Sequence, residues 1–141
     1  MEKLNRIDKV GKVAIEESIR NLLLKREEIS FAYLHGSFVK EDYFHDIDIA
    51  VYLENVPPSI LEYELQLEAE LALSIGKYIF DVRVLNSAPL SFKYNVIKNG
   101  VILLAKDDDK RCDFQETTIT NYCDFLPYRK AYMKENIGIE I

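Results

Sequence analysis

Residues Leu34–Leu53 read LHGSFVKEDYFHDIDIAVYL. A Gly-Ser pair follows an apolar run, eight residues intervene, and two aspartates then enter a second apolar run. Side chains alternate along a strand, so Asp46 and Asp48 would share one face while Ile47, Ile49, Val51 and Leu53 share the other. That second face is uniformly bulky and apolar, as a buried sheet face requires. Two neighbouring carboxylates on the first face would repel and suffer desolvation, so a cation is their natural partner.

The flanking segments supply the frame. Ile29–His35 (ISFAYLH) is a strand on β-branched and aromatic content. Gly36-Ser37 turns the chain, with Ser37 as helix N-cap. Ile47–Leu53 forms the next strand, stopped by NVPPS (Asn55–Ser59). Upstream, residues 3–27 read as a helix, because Ile15, Ile19, Leu22 and Leu23 fall at i, i+4, i+7 and i+8. Downstream, Glu62–Leu73 (EYELQLEAELAL) nearly alternates polar and apolar residues, which is the period of a strand. Its Glu, Leu and Ala content and its length favour a helix over Ser59–Ile75, closed by Gly76. Tyr78–Leu85 reads as a third strand, Ala88–Gly100 as a short helix and Val101–Ala105 as a fourth strand. A last helix runs from Asp109 to about Phe125, with Pro127 bending or ending it. The order α-β-α-β-α-β-α-β-α predicts an α/β (α+β) fold, one sheet of about four strands flanked by helices.

Asp81 repeats the opening pattern. In FDVRVL (Phe80–Leu85), Val82 and Val84 share one face while Asp81 and Arg83 share the opposite one. If the third strand lies beside the second, Asp81 joins Asp46 and Asp48. Three carboxylates offer hard oxygen ligands suited to Mg²⁺, which completes its shell with water and substrate phosphates. Gly36 permits close backbone approach, and Ser37 offers a hydroxyl and backbone N–H groups at a helix start, which favour anions. Together these describe a nucleoside-triphosphate site for phosphoryl-type transfer. Each piece alone has a plainer reading: a turn for Gly-Ser, a solvated edge for Asp-x-Asp, a local ion pair with Arg83 for Asp81. Their conjunction, in order and at strand junctions, carries the inference.

The chain of 141 residues, 48% hydrophobic and 30% charged, has the balance of one soluble domain spanning residues 1–141. Its core is expected over about 15–105, with the C-terminal helix over about 109–132. No apolar run approaches the roughly 20 residues of a membrane span. The charged segment MEKLNRIDKVGKVAIEE lacks a signal-peptide apolar region, so a cytoplasmic protein is expected. A net charge of −6, with basic residues scattered among acids, argues against a general nucleic-acid surface. The run KDDDKR (Lys106–Arg111) reads as a solvated turn. Cys112 and Cys123, if on one helix, stand roughly 16 Å apart on a shared face, too far for a disulfide. Two buried, reduced thiols are expected.

These residues resemble the nucleotidyltransferase superfamily built on a DNA polymerase β-like core, in which Gly-Ser precedes Asp-x-Asp on the next strand and a third Asp on a later one. The match is Gly36-Ser37, Asp46-x-Asp48 and Asp81. More narrowly, Val84–Gln115 and Asn121–Tyr128 look like the C-terminal half of the minimal nucleotidyltransferase (MNT) group, the antitoxin partners of HEPN-domain toxins. The resemblance covers about residues 15–132. It implies a mixed sheet and two Mg²⁺ ions, with Asp46 and Asp48 binding metals and triphosphate. Asp81 would hold the catalytic metal and help deprotonate the attacking hydroxyl. Gly36 and Ser37 would bind the β- and γ-phosphates. For the antitoxin group the implied reaction moves AMP from ATP to a tyrosine hydroxyl of the cognate HEPN toxin. Metal and carboxylate activation suits a phenol of pKa near 10.

The sequence departs from that pattern in one loop. The family often continues Gly-Ser-x-Ala-Arg/Lys-Gly, whereas here Phe38-Val39-Lys40-Glu41 follows Ser37. Lys40 keeps a cation able to reach phosphate, Glu41 stands in place of Gly, the loop to Asp46 is about two residues short, and His45 stands where Ser is common. His35 reads as a strand-end packing residue, and His45 as either a hydrogen-bond partner of Asp46 or a loop residue. Lys77 and Arg83 are further phosphate-contact candidates. Phe125, Tyr128 and Tyr132 read as packing residues, or as a partner-protein surface. Two other functions stay open: an antitoxin that only occludes its toxin, and a nucleotidyltransferase acting on a small molecule or an RNA end.

Overall fold

In the computed structural model, which describes residues 4–136, the alternating pattern of the opening stretch is realised as a strand with one sealed face. Ile47, Ile49, Val51 and Leu53 are each no more than 1% exposed. The chain runs β1 (Asn5–Arg6), α1 (Lys9–Leu24), β2 (Ile29–His35), α2 (Ser37–Lys40), β3 (Tyr43–Phe44) and β4 (Asp46–Leu53). It continues through α3 (Ile60–Ile75), β5 (Ile79–Val84), α4 (Leu90–Asn99), β6 (Val101–Ala105) and α5 (Asp108–Asn136).

The main sheet has the order β5-β4-β2-β6. β2 lies antiparallel to β4 and β6, while β4 and β5 are parallel, so the sheet is mixed. One face packs the β4 aliphatics with Ile19 and Leu23 of α1 and Leu67 and Leu71 of α3. The opposite face gathers Phe31, Tyr33 and Ala50 with Val96 of α4 and Phe114 of α5. Fully burying one such aliphatic side chain contributes about 1.5–3 kcal/mol, so these two layers fix the sheet.

The alternation in α3 has a simple cause: the helix is apolar on two sides. Tyr63, Leu67 and Leu71, four residues apart, pack inward. Leu61, Leu65 and Leu73 face outward, at 65%, 55% and 89% exposure. Two offset stripes of period four produce an apparent period of two. Ser59 caps this helix by accepting the Glu62 N–H at 3.1 Å, and Gly76, with φ of 96°, closes it.

Both edges of the sheet carry helix side chains. Glu68 Oε2 accepts the outward N–H of Val82 at 2.8 Å and Glu64 Oε2 that of Val84 at 2.9 Å on β5. On β6, Arg20 Nε donates to the Leu103 carbonyl at 2.8 Å. Two N–H groups of β5 and one carbonyl of β6, which edge strands leave unpaired, are thus satisfied within the chain.

Several expectations need correction. The first helix starts at Lys9, because Asp8 caps it by accepting the Gly11 N–H at 2.8 Å. Asn5–Arg6 form β1 instead, which pairs with β3 in a two-stranded sheet that the periodicity did not reveal. The expected start at residue 3 lies outside the described residues. The N-cap of α2 is Gly36 rather than Ser37, which is already helical and makes no side-chain cap bond. Lys106–Arg111 is no free turn: its last four residues open α5, with Asp108 and Asp109 in the first turn, where helix N–H groups favour acids. The helix also passes Pro127. The Cys123 carbonyl that loses its partner there belongs to an exposed residue, so water can take the place of the missing N–H.

Both cysteines lie on α5 but are exposed, not buried. The helix turns Phe114 and Thr118 inward, and Tyr122, the next residue on that stripe, stacks on Tyr94 at 3.8 Å. Cys112 and Cys123 do not fall on it. Phe125 and Tyr128 are exposed as well, and the side chain of Tyr132 lies outside the described residues. No helix among the described residues is long and apolar enough to cross a membrane.

Candidate active site

β2 ends where β4 and β5 begin, and the register across the three strands sets His35 opposite Asp48 and Asp48 opposite Asp81. Asp46 lies two residues from Asp48, on the same pleat face. One carboxylate oxygen from each of Asp46, Asp48 and Asp81 lies within 4.8 Å of the others, and all three residues are half-buried. The three sequence-predicted carboxylates therefore meet.

Gly36 is the backing of this cluster. Its φ is +79°, a conformation that side chains rarely adopt, and a Cβ built on it would stand 2.1 Å from Asp48 Oδ2. Glycine is required twice over, for the turn and for the space that the Asp48 carboxylate fills. Ser37 follows directly, and its carbonyl accepts the Glu41 N–H at 2.8 Å to close the single turn of α2.

Burial, and then the charges of Asp81 and Asp46, push the Asp48 carboxyl up to about 6; Arg83 opposes this. Negative charge is thus concentrated at one point of the sheet. Arg83 Nε donates to Asp81 Oδ1 at 3.1 Å, the local pair foreseen from the sequence, but Arg83 itself is well exposed. A set of three hard oxygens, short of positive charge, fits a divalent cation such as Mg²⁺.

His35 packs edge-on against Phe92, ring centroids 5.6 Å apart. Burial lowers its pKa, partly offset by Asp81, so the ring is neutral near pH 7. The packing role expected for it is the one observed. His45 contributes its carbonyl to a bond from Asn5 Nδ2 at 3.5 Å. Lys77 lies over the Tyr78 ring at 5.7 Å. Lys40 lines a groove of about 850 Å³ with Arg6, Lys9 and Lys12, between α2 and the start of α1.

The loop from Phe38 to His45 is held more firmly than its charged sequence suggests. Phe38 and Phe44 are buried and meet edge-to-face at 4.9 Å, with Tyr78 5.9 Å from Phe44. Lys12 of α1 donates to the Glu41 carbonyl and lies over both phenylalanine rings. Sequence reasoning missed these anchors, although the two Phe residues bracketing a charged loop were a usable signal. It also missed Glu68 and Glu64, whose bonds to β5 fix the strand that carries Asp81. Nothing in an i, i+4 pair of glutamates on a helix announces such a role.

Comparison with known proteins places this geometry. The family model described as polymerase beta, nucleotidyltransferase matches residues 17–109. No curated protein sequence shows significant similarity to the chain. Among solved structures, the complex of a tri-AMPylated Shewanella oneidensis HEPN toxin with its MNT antitoxin includes a chain 25% identical to this one. The match covers 89% of this chain and 98% of that one, with a TM-score of 0.71. The toxin–antitoxin pair MntA-HepT gives 25% identity over the same shares, with a TM-score of 0.70. A toxin–antitoxin structure with AMP-PNP gives 26% identity over 86% of this chain and 98% of that one, with a TM-score of 0.72. The family match spans well over half of the chain and includes every residue of the carboxylate cluster and its glycine backing, and the chain belongs to the polymerase β nucleotidyltransferase family.

Proposed function

We propose that the protein is an antitoxin of the MNT type that transfers AMP from ATP to a tyrosine hydroxyl of a cognate HEPN-type toxin, a Mg²⁺-dependent protein adenylylation. The observation that carries the reading is the convergence of Asp46, Asp48 and Asp81 against Gly36. Its support from relatives is the near-complete coverage of MNT antitoxin chains, one of them bound to a toxin bearing three AMP groups.

In this reading Asp46, Asp48 and Asp81 hold Mg²⁺, which when bound neutralises phosphate charge and lowers the pKa of an attacking hydroxyl. The backbone at Gly36-Ser37 receives the β- and γ-phosphates, with Lys40 as a nearby cation. Asp81, on the outermost of the three strands, orients the acceptor oxygen and takes up its proton. Asp48, whose carboxyl is pushed up to about 6 by burial and its acidic neighbours, gains from a cation that offsets the same repulsion, which couples metal binding to its charge. The phenolic oxygen forms a bond to the α-phosphorus, the bond to the bridging oxygen breaks, and pyrophosphate leaves.

The test is intact mass of the toxin after incubation with this chain and Mg-ATP. AMP-sized increments are expected with the wild type and none with Asp46→Ala/Asp48→Ala. An unmodified toxin in the presence of folded wild-type protein overturns the reading. Neutralisation in cells by the double variant would instead favour an antitoxin that acts by occlusion.

A further inference from the structure

Beyond the edge of the sheet, on the Asp81 side, lies a pocket of about 300 Å³ lined by neither the three carboxylates nor the Gly36-Ser37 pair. Its walls are Ile60 from α3 and Ala88, Pro89 and Phe92 around the start of α4, and its polar lining includes Arg83 and Ser87. Two of these residues tie it to the carboxylate cluster. Arg83 bonds Asp81 at 3.1 Å, and the Phe92 ring packs on His35, the register partner of Asp48. We propose that this pocket is the acceptor subsite, which seats the ring of the tyrosine that receives AMP. The inference rests on the transfer reaction proposed above.

Position gives the first argument. Strand order puts Gly36-Ser37 at the end of β2, Asp48 on the central β4, and Asp81 with the pocket at the outer β5. Phosphoryl-type transfer needs the attacking and leaving oxygens roughly in line across the reacting phosphorus. With the leaving pyrophosphate on the β2 side, the attacking hydroxyl comes from the β5 side, whose Arg83 and Val84 line the pocket.

Size and chemistry give the second. Small-molecule sites span about 300–1,000 Å³, so this pocket, at the lower limit, holds one side chain rather than a nucleoside triphosphate. A phenol has an apolar body and one polar tip. Phe92, Pro89, Ala88 and Ile60 suit the body. The Arg83 guanidinium spends one of its five N–H donors on Asp81, leaving others to face the ring or the developing phenolate. Adenine carries polar atoms around most of its rim, and Glu64, the acid in this lining, already accepts the Val84 N–H at 2.9 Å. In the step itself the tyrosine oxygen bonds to the α-phosphorus, pyrophosphate departs, and the phenolic proton passes to the Asp81 carboxylate.

The test uses N-acetyl-L-tyrosinamide as the probe and Mg²⁺ with a non-hydrolysable ATP analogue as the nucleotide, followed by amide NMR shifts in the intact chain. Addition of the probe should move the resonances of Arg83, Ser87, Ala88 and Phe92. Ser87→Trp, at an exposed lining position, and Ala88→Phe should each weaken probe binding at least about tenfold (about 1.4 kcal/mol). Both should leave the nucleotide Kd within about twofold of wild type. Two folded variants at different exposures guard against a result due to misfolding. The proposal is overturned if saturating probe leaves these resonances in place, or if both substitutions weaken the nucleotide instead, which would make the pocket a base site. Because binding is read without turnover, a chain that transfers no AMP would defeat the reaction proposed above and leave the outcome for the pocket readable.

Discussion

Gly36 and Asp48 occupy each other's space: the carboxylate of Asp48 fills the volume in which a Cβ at position 36 would sit, 2.1 Å from Oδ2. The glycine thus serves the site by having no side chain. Gly36→Ala should keep the sheet, since Ile49 and Val51 remain buried, while about 1–2 kcal/mol of left-handed strain and a displaced Asp48 fall on the cluster. Mg²⁺ affinity, measured by calorimetry, should drop at least about tenfold (about 1.4 kcal/mol). Unchanged affinity would show that Asp48 is held by something else.

The raised pKa of Asp48, about 6, makes stability depend on pH without metal. The folded state holds a proton here that the unfolded chain, with an ordinary Asp near 3.8, has already released. Stability contributed by this group is therefore full at low pH and lost as pH rises from about 4 through 6. Thermal melts in chelator should show this fall, and Asp48→Asn should flatten it. Mg²⁺ competes with the same proton, so its affinity should rise over the same interval.

Glu68 and Glu64 hold β5 through the N–H groups of Val82 and Val84. Glu68→Ala should cost about 1–2 kcal/mol in denaturant unfolding and weaken Mg²⁺ binding, because Asp81 immediately precedes Val82. Glu68→Gln keeps an acceptor oxygen and should recover most of both losses. A Gln variant as impaired as the Ala variant would point to the charge rather than the hydrogen bond.

Phe44 pins the loop between Gly36 and Asp46. Its ring is 1% exposed and packs between Phe38 and Tyr78, so Phe44→Ala should cost about 3–5 kcal/mol. Chemical unfolding measures this directly. Loss below about 1 kcal/mol would mean that the loop is anchored by Lys12 and the β1–β3 pairing rather than by this ring.

Cys112 and Cys123 are exposed on α5, so both thiols should react with a colorimetric disulfide reagent under native conditions. Two equivalents before unfolding, and none added by denaturant, is the expected count. Protection of either thiol would restore the buried placement that the sequence suggested.

What could be read from residues alone follows from how local the responsible forces are. The burial of Ile47, Ile49, Val51 and Leu53 is written in a period of two, and with it the common face of Asp46 and Asp48. Caps at Ser59 and Gly76 are likewise local signals. The joining of Asp81 needed a further fact, the parallel pairing of β4 with β5, which no single segment contains. The pairing of β1 with β3 was illegible because two-residue strands have no period. Cys112 and Cys123 were misplaced because spacing tells which face residues share, not which way that face looks. Pro127 allowed either a bend or an end, and only the continuation of α5 past it, where an exposed carbonyl can turn to water, decides against an end.

The capped edges of the sheet bear on how this chain can meet another protein. With carboxylates on the free amides of β5 and a guanidinium on a carbonyl of β6, an incoming strand would have to displace charged groups that already hydrogen-bond well. Strand addition, one way to recruit a peptide, is disfavoured at Val82 and Val84 on β5 and at Leu103 on β6. At those positions recognition falls to side chains, where a partner is selected by shape and not by backbone pairing. Such a surface discriminates among related partners residue by residue.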